Sequence, residues 1–415
     1  MEFLKADGLL SKEYSAAIHG EAAVMIRFRK LHSVCIINRN LYLCSLLLNT
    51  KLEMEFKPLR TILLPFSAIY YLITELRNFL FDKGILHSKG FKVPVISIGN
   101  LAVGGTGKTP HTEFILSALN YKYKCAVLSR GYKRKTSGYV EADQNSDFRI
   151  IGDEPLQIFR KFENVLVAVD EKRINGIENI NRLHPEIQTI ILDDAFQHRY
   201  VIPGLSILLT CYDRIFTKDY LLPAGNLRES RKNFKRVDIL IVTKCPLSLG
   251  IAEMNQIASD LKLLNHQQLF FSGFEYDDIQ AVFKNFKNER ISLNDIKQNK
   301  ISVLIITGIA SPDEMINKIN EFTDKIESIH FRDHKDFSKN DIDKIIQKFN
   351  AIGTENKILL TTEKDTMRLR ENKFIPENLK SKMYYLPVKV KILNNKHDNL
   401  IQTITDYVGK NTGNC

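Results

Sequence analysis

The sequence contains no tryptophan, and its six cysteines (Cys35, Cys44, Cys125, Cys211, Cys245 and Cys415) are too scattered for a zinc-ligand spacing or a disulfide framework. Reduced thiols in a cytosol-facing protein are the expectation. No uninterrupted apolar run reaches the ~18–20 residues that a spanning helix needs. The opening residues lack the charged start of a cleavable leader. Internal repeats and low-complexity tracts are also missing. Hydrophobic residues at 44% and charged residues at 26% of 415 exclude a disordered tail, a collagen-like chain and a disulfide-stapled miniprotein. A chain of this length is expected to hold two domains. Lys+Arg 59 against Asp+Glu 48 leaves a net charge of +11, which favours anionic partners: nucleotide, phospholipid headgroups or nucleic acid.

Residues 1–53 read as an N-terminal extension without a clear element, since Arg39 interrupts the apolar stretch Leu31–Leu48 and ordered patterns begin only after Met54. Met54 is an alternative start. Residues 54–90 hold a helix whose apolar positions recur at Leu59, Ile62, Leu63, Phe66, Ile69, Tyr70, Ile73, Leu76 and Leu80, with Pro65 expected to kink it near its start. Two readings fit this stripe. It packs on the protein's own core, or it lies in an anionic membrane interface with aromatic and basic residues at its edges.

From Phe91 onward, short β-branched runs alternate with helical stretches. Strands are expected at Val93–Ile98, Cys125–Ser129, Val165–Val169, Thr189–Leu192, Ser206–Leu209 and Asp238–Thr243, with helices at Thr109–Leu119 and Glu171–Arg182 between them. That alternation predicts an α/β fold, a mostly parallel sheet flanked by helices. A second series, with strands at Val303–Thr307, Ile326–His330 and Lys357–Thr361, predicts a smaller C-terminal α/β subdomain. The polar stretch Asn285–Lys300 separates them, giving a first domain over 91–285 and a second over 300–415.

The strongest local signal is an apolar strand running into Leu-Ala-Val-Gly-Gly-Thr-Gly-Lys-Thr-Pro, residues 101–110. Gly104, Gly105, Thr106 and Gly107 form a turn whose backbone N–H groups can close around phosphate oxygens without Cβ clashes. The helix that follows adds its dipole. Lys108 can reach the β/γ-phosphates and the Thr109 hydroxyl can ligate Mg²⁺, as in a P-loop nucleotide site. The strict pattern asks for glycine where this chain has Ala102. A second buried run ends in Asp193 and Asp194, the place where a nucleotide's Mg²⁺ is held directly or through water. Guanine-specific proteins carry Asn-Lys-x-Asp after a late strand, whereas this chain reads Thr243-Lys244-Cys245-Pro246, so ATP is favoured over GTP. What the nucleotide does stays open on these residues: a kinase or ligase, or a regulatory NTPase or metallochaperone-type GTPase. A nucleic-acid role finds no recognition motif.

Several motifs in fixed order resemble the tetraacyldisaccharide 4′-kinase family. They are Leu64-Pro65-Phe66 with Arg77-Asn78, Val93–Pro110, Ser129-Arg130-Gly131-Tyr132, Gly152-Asp153-Glu154-Pro155, and Leu192-Asp193-Asp194-Ala195-Phe196-Gln197-His198. Leu222–Glu229, Thr307–Ala310, Phe331-Arg332-Asp333-His334 and Thr362-Glu363-Lys364-Asp365 continue the series, from about Met54 to the C-terminus. Ala195 stands where the family has glycine and Asn226 where proline is common, and neither supplies a reacting group. The resemblance implies transfer of the ATP γ-phosphoryl to the 4′-hydroxyl of a tetraacylated glucosamine disaccharide 1-phosphate, giving lipid IVA. It further implies Asp153 as the base helped by His334, and Arg228 near the transferring phosphate beside Lys108. Glu154, Arg130, Gln197 and His198 form a second tier around the acceptor or nucleotide. A basic cluster, Arg130, Lys133, Arg134 and Lys135, is either a contact for the acceptor's 1-phosphate or anionic lipid, or a solvated loop. No chemical role follows for Glu363, Lys364 and Asp365. An acylated sugar lives in a bilayer, so the expected place of work is the cytoplasmic face of the bacterial inner membrane. The 54–90 helix is then the docking element.

Overall fold

A computed structural model of the chain describes residues 57–283, 289–309 and 312–412, with side chains from Arg60 onward. The expected 1–53 extension, and residues 285–288 of the expected boundary, lie outside the described residues. Among them, residues 57–71 with Tyr220–Asn226 form one compact unit, and Leu72–Asp219 with Leu227–Cys415 form another.

The first unit is small. It holds about the first four turns of helix α1 (Lys57–Asp82), which runs on through Pro65. Ser67 Oγ donates to Leu221 O at 3.0 Å and accepts from Ala224 N at 3.0 Å, while Arg60 Nε donates to Ala224 O at 2.9 Å. Polar groups of the helix thus satisfy backbone that would otherwise be stranded.

The larger unit contains two sheets. The first takes strands β1 (Val95–Asn100), β2 (Cys125–Ser129), β3 (Val140–Glu141), β4 (Leu166–Val169), β5 (Thr189–Asp193), β6 (Leu205–Cys211), β7 (Ile239–Thr243) and β8 (Gln268–Tyr276). The second takes β9 (Ile279–Ala281), β10 (Arg290–Ile291), β11 (Ser302–Thr307), β12 (Ile326–His330), β13 (Lys357–Thr362) and β14 (Met383–Leu386). A last strand, β15 (Val388–Ile392), returns to the first sheet and pairs antiparallel with β8. The nine-stranded order is β15-β8-β7-β6-β1-β5-β2-β4-β3, and the six-stranded order is β10-β9-β14-β13-β11-β12. In the first sheet all pairings but the two edge ones are parallel. Strands β1, β2, β5, β6 and β7 are buried along their whole length, which is why they read as continuous apolar runs rather than alternations.

The expected strands and helices all occur, with ends shifted by a residue or two. The division between sheets falls elsewhere than the expected 285–300, because β9 already belongs to the second sheet. The C-terminus also leaves the second sheet. Helix α5 (His397–Thr412) buries Leu400, Ile404 and Val408 in the same core as Ile96, Ile98 and Ile207, and Tyr407 Oη accepts from Val95 N at 3.1 Å. The expected 300–415 subdomain is therefore corrected: its last strand and helix complete the first sheet.

Helices α2 (Lys108–Leu119), α3 (Asp153–Lys161) and α4 (Glu363–Leu369) each begin where a strand or loop delivers a functional residue. In the first sheet the carboxyl ends of parallel strands supply the phosphate loop after β1 and the acid pair at β5, the usual place for a ligand in such a sheet.

Candidate active site

The phosphate loop spans the turn from β1 into α2. Gly107, with φ +81°, caps α2, and a Cβ there would lie 2.9 Å from Phe274 Cζ, so glycine is required on both conformational and spatial grounds. Ala102 needs no such freedom. It forms an antiparallel bridge with Leu227 in extended backbone, and the next residue, Arg228, donates its N–H to Leu101 O at 2.7 Å. This pairing is what brings Arg228 to the loop. Asn100 Nδ2 donates to Thr106 Oγ1 at 2.9 Å, and Thr243 Oγ1 donates to Thr106 O at 3.0 Å.

A residue the sequence reading missed fixes the loop from behind. His111, fully buried one turn into α2, has Nδ1 2.7 Å from Gly107 O and Nε2 2.9 Å from Ser272 Oγ. A carbonyl can only accept, so Nδ1 carries the proton and Nε2 accepts from the serine. Burial lowers this imidazole to about 4, which keeps it neutral.

The two acids after β5 are pushed in opposite directions. Burial raises the Asp193 carboxyl, with Glu154 and Asp194 adding repulsion against the pull of Lys108 and a hydrogen bond from Thr112. Burial also pushes Asp194 up, but Lys108 at 3.7 Å and Arg228 at 3.1 Å hold it well below the usual carboxylate range. Asp194 adopts φ 47°, a left-handed conformation rare for a residue with a Cβ, and this turns it away from the strand's alternation. Arg173, buried and unremarked in the sequence, adds cationic charge with Nη1 on Asp170 O at 2.6 Å and Nη2 on Asp193 O at 3.4 Å.

Asp193 is an acid whose ionised form burial disfavours, Asp194 lies 3.7 Å from Lys108, and Thr109 is the next residue of α2. This donor set fits Mg²⁺. Among the described residues no cluster of three or more His, Cys, Asp or Glu is gathered as metal ligands. Mg²⁺ does not need one, because it is held by one or two carboxylates with phosphate oxygens and water completing the shell.

The expected Asp153 and His334 meet. Asp153 is the first residue of α3, 2% exposed, and its Oδ2 lies 2.7 Å from His334 Nδ1. Gly152 at φ +91° makes the entry into α3, where a Cβ would crowd Tyr132 O at 3.1 Å. Two further residues complete the arrangement. Arg368 on α4 donates Nε to Asp153 Oδ1 at 2.7 Å and Nη2 to Oδ2 at 2.8 Å. Lys364, also on α4, lies 3.2 Å from His334 Nε2 and 3.2 Å from Glu154 Oε1. An ammonium has no lone pair, so Nε2 accepts and Nδ1–H donates to Asp153. Burial alone would raise Asp153, yet the hydrogen bonds from His334 and Arg368, with the guanidinium's charge, outweigh it and lower the carboxyl. Lys364 thereby acquires the role that the Glu363-Lys364-Asp365 motif lacked in sequence. Asp365 accepts from Gly308 N at 3.0 Å and from Thr362 Oγ1 at 2.7 Å, which fixes the start of α4.

The second tier divides. Glu154 bonds Lys364 and lies near enough to Asp193 to repel it, so the Asp153–His334 pair and the acid pair share one site. Gln197 donates to Asn100 O at 2.8 Å and accepts from Arg228 at 3.4 Å. His198 packs against Tyr200 and is lowered to about 4 by burial and then by Arg173, Arg77 and Arg130. Arg130 is exposed. The basic cluster does not act as one: Arg134 is spent on Glu171 at 2.6 Å and Gly138 O at 2.6 Å, and Lys133 reaches Asp333 O at 3.3 Å. Arg228 pairs with Asp194, while its neighbour Glu229 pairs with Arg236 at 2.8 Å.

The family model of the tetraacyldisaccharide-1-P 4′-kinases (LpxK) matches residues 59–407. The chain belongs to this family. A tetraacyldisaccharide 4′-kinase of Bacteroides thetaiotaomicron is 48% identical over 357 residues, covering 85% of this chain and 94% of the relative. One of Flavobacterium johnsoniae is 45% identical over 353 residues, covering 85% and 98%. Among solved structures, LpxK of Aquifex aeolicus, crystallised in complex with ATP, superposes with a TM-score of 0.64 at 30% identity, covering 84% of this chain and 99% of that one. The family match thus spans both sheets and every residue of the site described above.

Replacing Arg368 by Met strands Asp153 as a buried charge, and breaking such a pair costs about 3–5 kcal/mol. The sign with pH follows from the lowered Asp153 carboxyl: its contribution is present above the ordinary carboxyl value and lost as pH falls through its folded one. In R368M the stranded carboxyl takes up a proton earlier than in the wild type, so the deficit in urea unfolding should be largest at neutral pH and shrink as pH falls toward and through the ordinary carboxyl range. A deficit that does not change with pH would assign Arg368 to packing alone.

Proposed function

We propose that this chain transfers the γ-phosphoryl of ATP to the 4′-hydroxyl of a tetraacylated glucosamine disaccharide 1-phosphate, giving lipid IVA. The observation that carries the reading is the meeting of two halves in one site: the phosphate loop with Lys108, Asp193 and Asp194, and the Asp153–His334 pair, joined through Glu154.

Residues 104–109 cradle the phosphates, with the α2 N-terminus adding its dipole. Mg²⁺, held by Thr109, Asp193 and Asp194, supplies charge neutralisation on the phosphates when bound. Lys108 and Arg228 stabilise negative charge on the transferring group. The 4′-hydroxyl oxygen bonds to the γ-phosphorus as the bond to the β–γ bridging oxygen breaks, and ADP leaves with that electron pair. The hydroxyl proton goes to Asp153 and His334 as a unit. Asp153 Oδ2 accepts from both His334 and Arg368 and Oδ1 from Arg368, so the pair can take the proton at the remaining Oδ1 lone pair or at His334 Nε2, where the acceptor would displace Lys364. The proton then rests in the pair, whose apparent pKa belongs to neither residue alone.

Helix α1 is the membrane-facing element in this reading. Ile62, Phe66 and Ile73 are 64%, 59% and 63% exposed, while Ser67 and Asn78 are buried at 7% and 4%. The stripe therefore does not pack on the protein's own core. Among the described residues no helix is long and apolar enough to cross a membrane. A helix lying in the headgroup region of an anionic leaflet fits both facts. That leaflet is the cytoplasmic face of the inner membrane, where ATP and the acylated acceptor meet.

Transfer of ³²P from γ-labelled ATP to the disaccharide 1-phosphate, with GTP as control, tests the activity directly. Lys108→Ala should lower kcat by ~10²–10³-fold, as loss of a preorganised transition-state contact does; near wild-type turnover would contradict the nucleotide site. Asp153→Ala and His334→Ala should each lower kcat ~10²–10⁴-fold with a small change in KM for ATP. The double variant should lose far less than the product of the two, because residues that act as a unit are non-additive. Multiplicative losses in folded variants would dissolve the pair. Serine at Ile62, Phe66, Ile69 and Ile73 should leave a folded protein that no longer floats with anionic liposomes; retained flotation would remove α1 from the membrane.

A further inference from the structure

Behind the site, three helices that each start at reacting groups are tied together by one lysine. Glu113 lies on α2, about 8 Å along the axis from Lys108 at 1.5 Å per residue. It is buried, with Oε1 accepting from Gln157 Nε2 at 2.7 Å and Oε2 from Lys161 Nζ at 2.7 Å. Lys161 is the last residue of α3, about 12 Å from Asp153 at the other end of that helix. The same ammonium donates to Glu363 at 3.1 Å, the first residue of α4, which carries Lys364 and Arg368. Arg160 makes a parallel tie from α3 to Glu371 at 2.6 Å.

Nothing in the phosphoryl-transfer chemistry uses Glu113, Lys161 or Glu363, yet the buried Glu113 carboxylate is joined to the half-buried Glu363 through Lys161, whose side chain reaches in from the surface. Burial, followed by the repulsion of Glu363, raises the Glu113 carboxyl against the pull of Lys161. A carboxylate kept in so unfavourable a place needs its partner in order to remain ionised. The position of the cluster gives it a purpose. The phosphate loop moves with α2, Asp153 with α3, and Arg368 and Lys364 with α4, so the three sets can be in register only if the helices are.

We propose that Glu113, Lys161 and Glu363 are positioning residues, a bridge that holds the nucleotide half and the acceptor half of the site in reacting register. The proposal rests on the phosphoryl-transfer reading above. A misplacement of about 1 Å between bound reactants costs on the order of 10²-fold in rate. The bridge should therefore appear in kcat and leave ATP binding to the loop alone.

The test uses the full chain and the ³²P transfer assay. Glu363→Gln cuts the arm to α4 without stranding a buried charge, since Glu113 keeps Lys161. It should lower kcat by ~10- to ~100-fold, with KM for ATP within about twofold of wild type. Lys161→Met should lower kcat at least as much, Lys161→Arg should restore most of it, and the double variant K161M/E363Q should be no worse than K161M. If K161M fails to fold, E363Q and K161R still decide the question. A wild-type kcat in E363Q, an equal rise in KM for ATP, or a loss that follows melting temperature across the variants would overturn the bridge. Failure of the wild-type chain to phosphorylate the disaccharide would instead overturn the functional reading. A wild-type chain that transfers phosphate beside an indifferent E363Q removes the bridge alone.

Discussion

The buried Asp153 carboxylate is the constraint to which the two sheets answer. A carboxylate at 2% exposure is tolerable only with charge-assisted partners on both oxygens. Its partners come from the second sheet's side: Arg368 from α4 in a bidentate fork and His334 from the loop after β12. Neither sheet alone satisfies it. The guanidinium also packs over the Phe148 ring at 4.7 Å, so its plane is fixed before the carboxylate is met. Once Asp153 is fixed, His334 has its tautomer, Nε2 has its lone pair outward, and Lys364 has something to donate to. The left-handed backbone at His334, φ 58°, is consistent with a residue held in place by its contacts rather than by local preference.

Across the site, the acids are separated in protonation behaviour by what surrounds them rather than by type. Asp193 stays in the strand, faces Thr112 and is raised; Asp194, one residue on, leaves the strand, meets Lys108 and Arg228, and is lowered. Asp153 is lowered by the His334 hydrogen bond and the Arg368 guanidinium although it is as deeply buried as Asp193. Pairs of like groups pushed apart in this way mark where acid, base and cation-binding roles divide. Here one acid is raised by burial while two are matched by basic side chains, which on our reading separates the cation-binding acid from the base.

Much of this was legible in sequence where the chemistry is local. The phosphate loop, the Asp193-Asp194 step and the parallel strands announce themselves within ten residues, because backbone geometry and burial constrain neighbours directly. Arg368 did not, since it lies 215 residues from Asp153 and looks like any helical arginine. Its only local sign was the Thr-Glu-Lys-Asp motif four residues earlier, whose lysine and aspartate now have partners. His111 could have been suspected from its place one turn into the helix after the loop, facing back to Gly107. The return of the C-terminus was illegible for a different reason. Strand β15 alternates between half-buried and exposed positions, the pattern of an edge, and an edge pattern does not say which sheet it borders.

Helix α1 shows where periodicity misleads. A stripe at three- and four-residue spacing states that a helix has an apolar face; it does not state that protein covers it. In this chain the small polar residues turn inward: Ser67 is satisfied by backbone of Leu221 and Ala224, and Asn78 O accepts from Arg199 Nη1 at 2.9 Å. The isoleucines and Phe66 turn outward. Such polarity is the reverse of a surface helix in water, and the Ser67 hydroxyl and the Asn78 carbonyls have protein partners in place of solvent. A face of that size left in water forfeits the burial free energy of each large side chain, about 1.5–3 kcal/mol apiece. The cost disappears if the outer surroundings are apolar. On our reading those surroundings are the acyl region of the leaflet that also holds the acceptor, so the same inversion that strands the helix in water delivers the enzyme to its substrate.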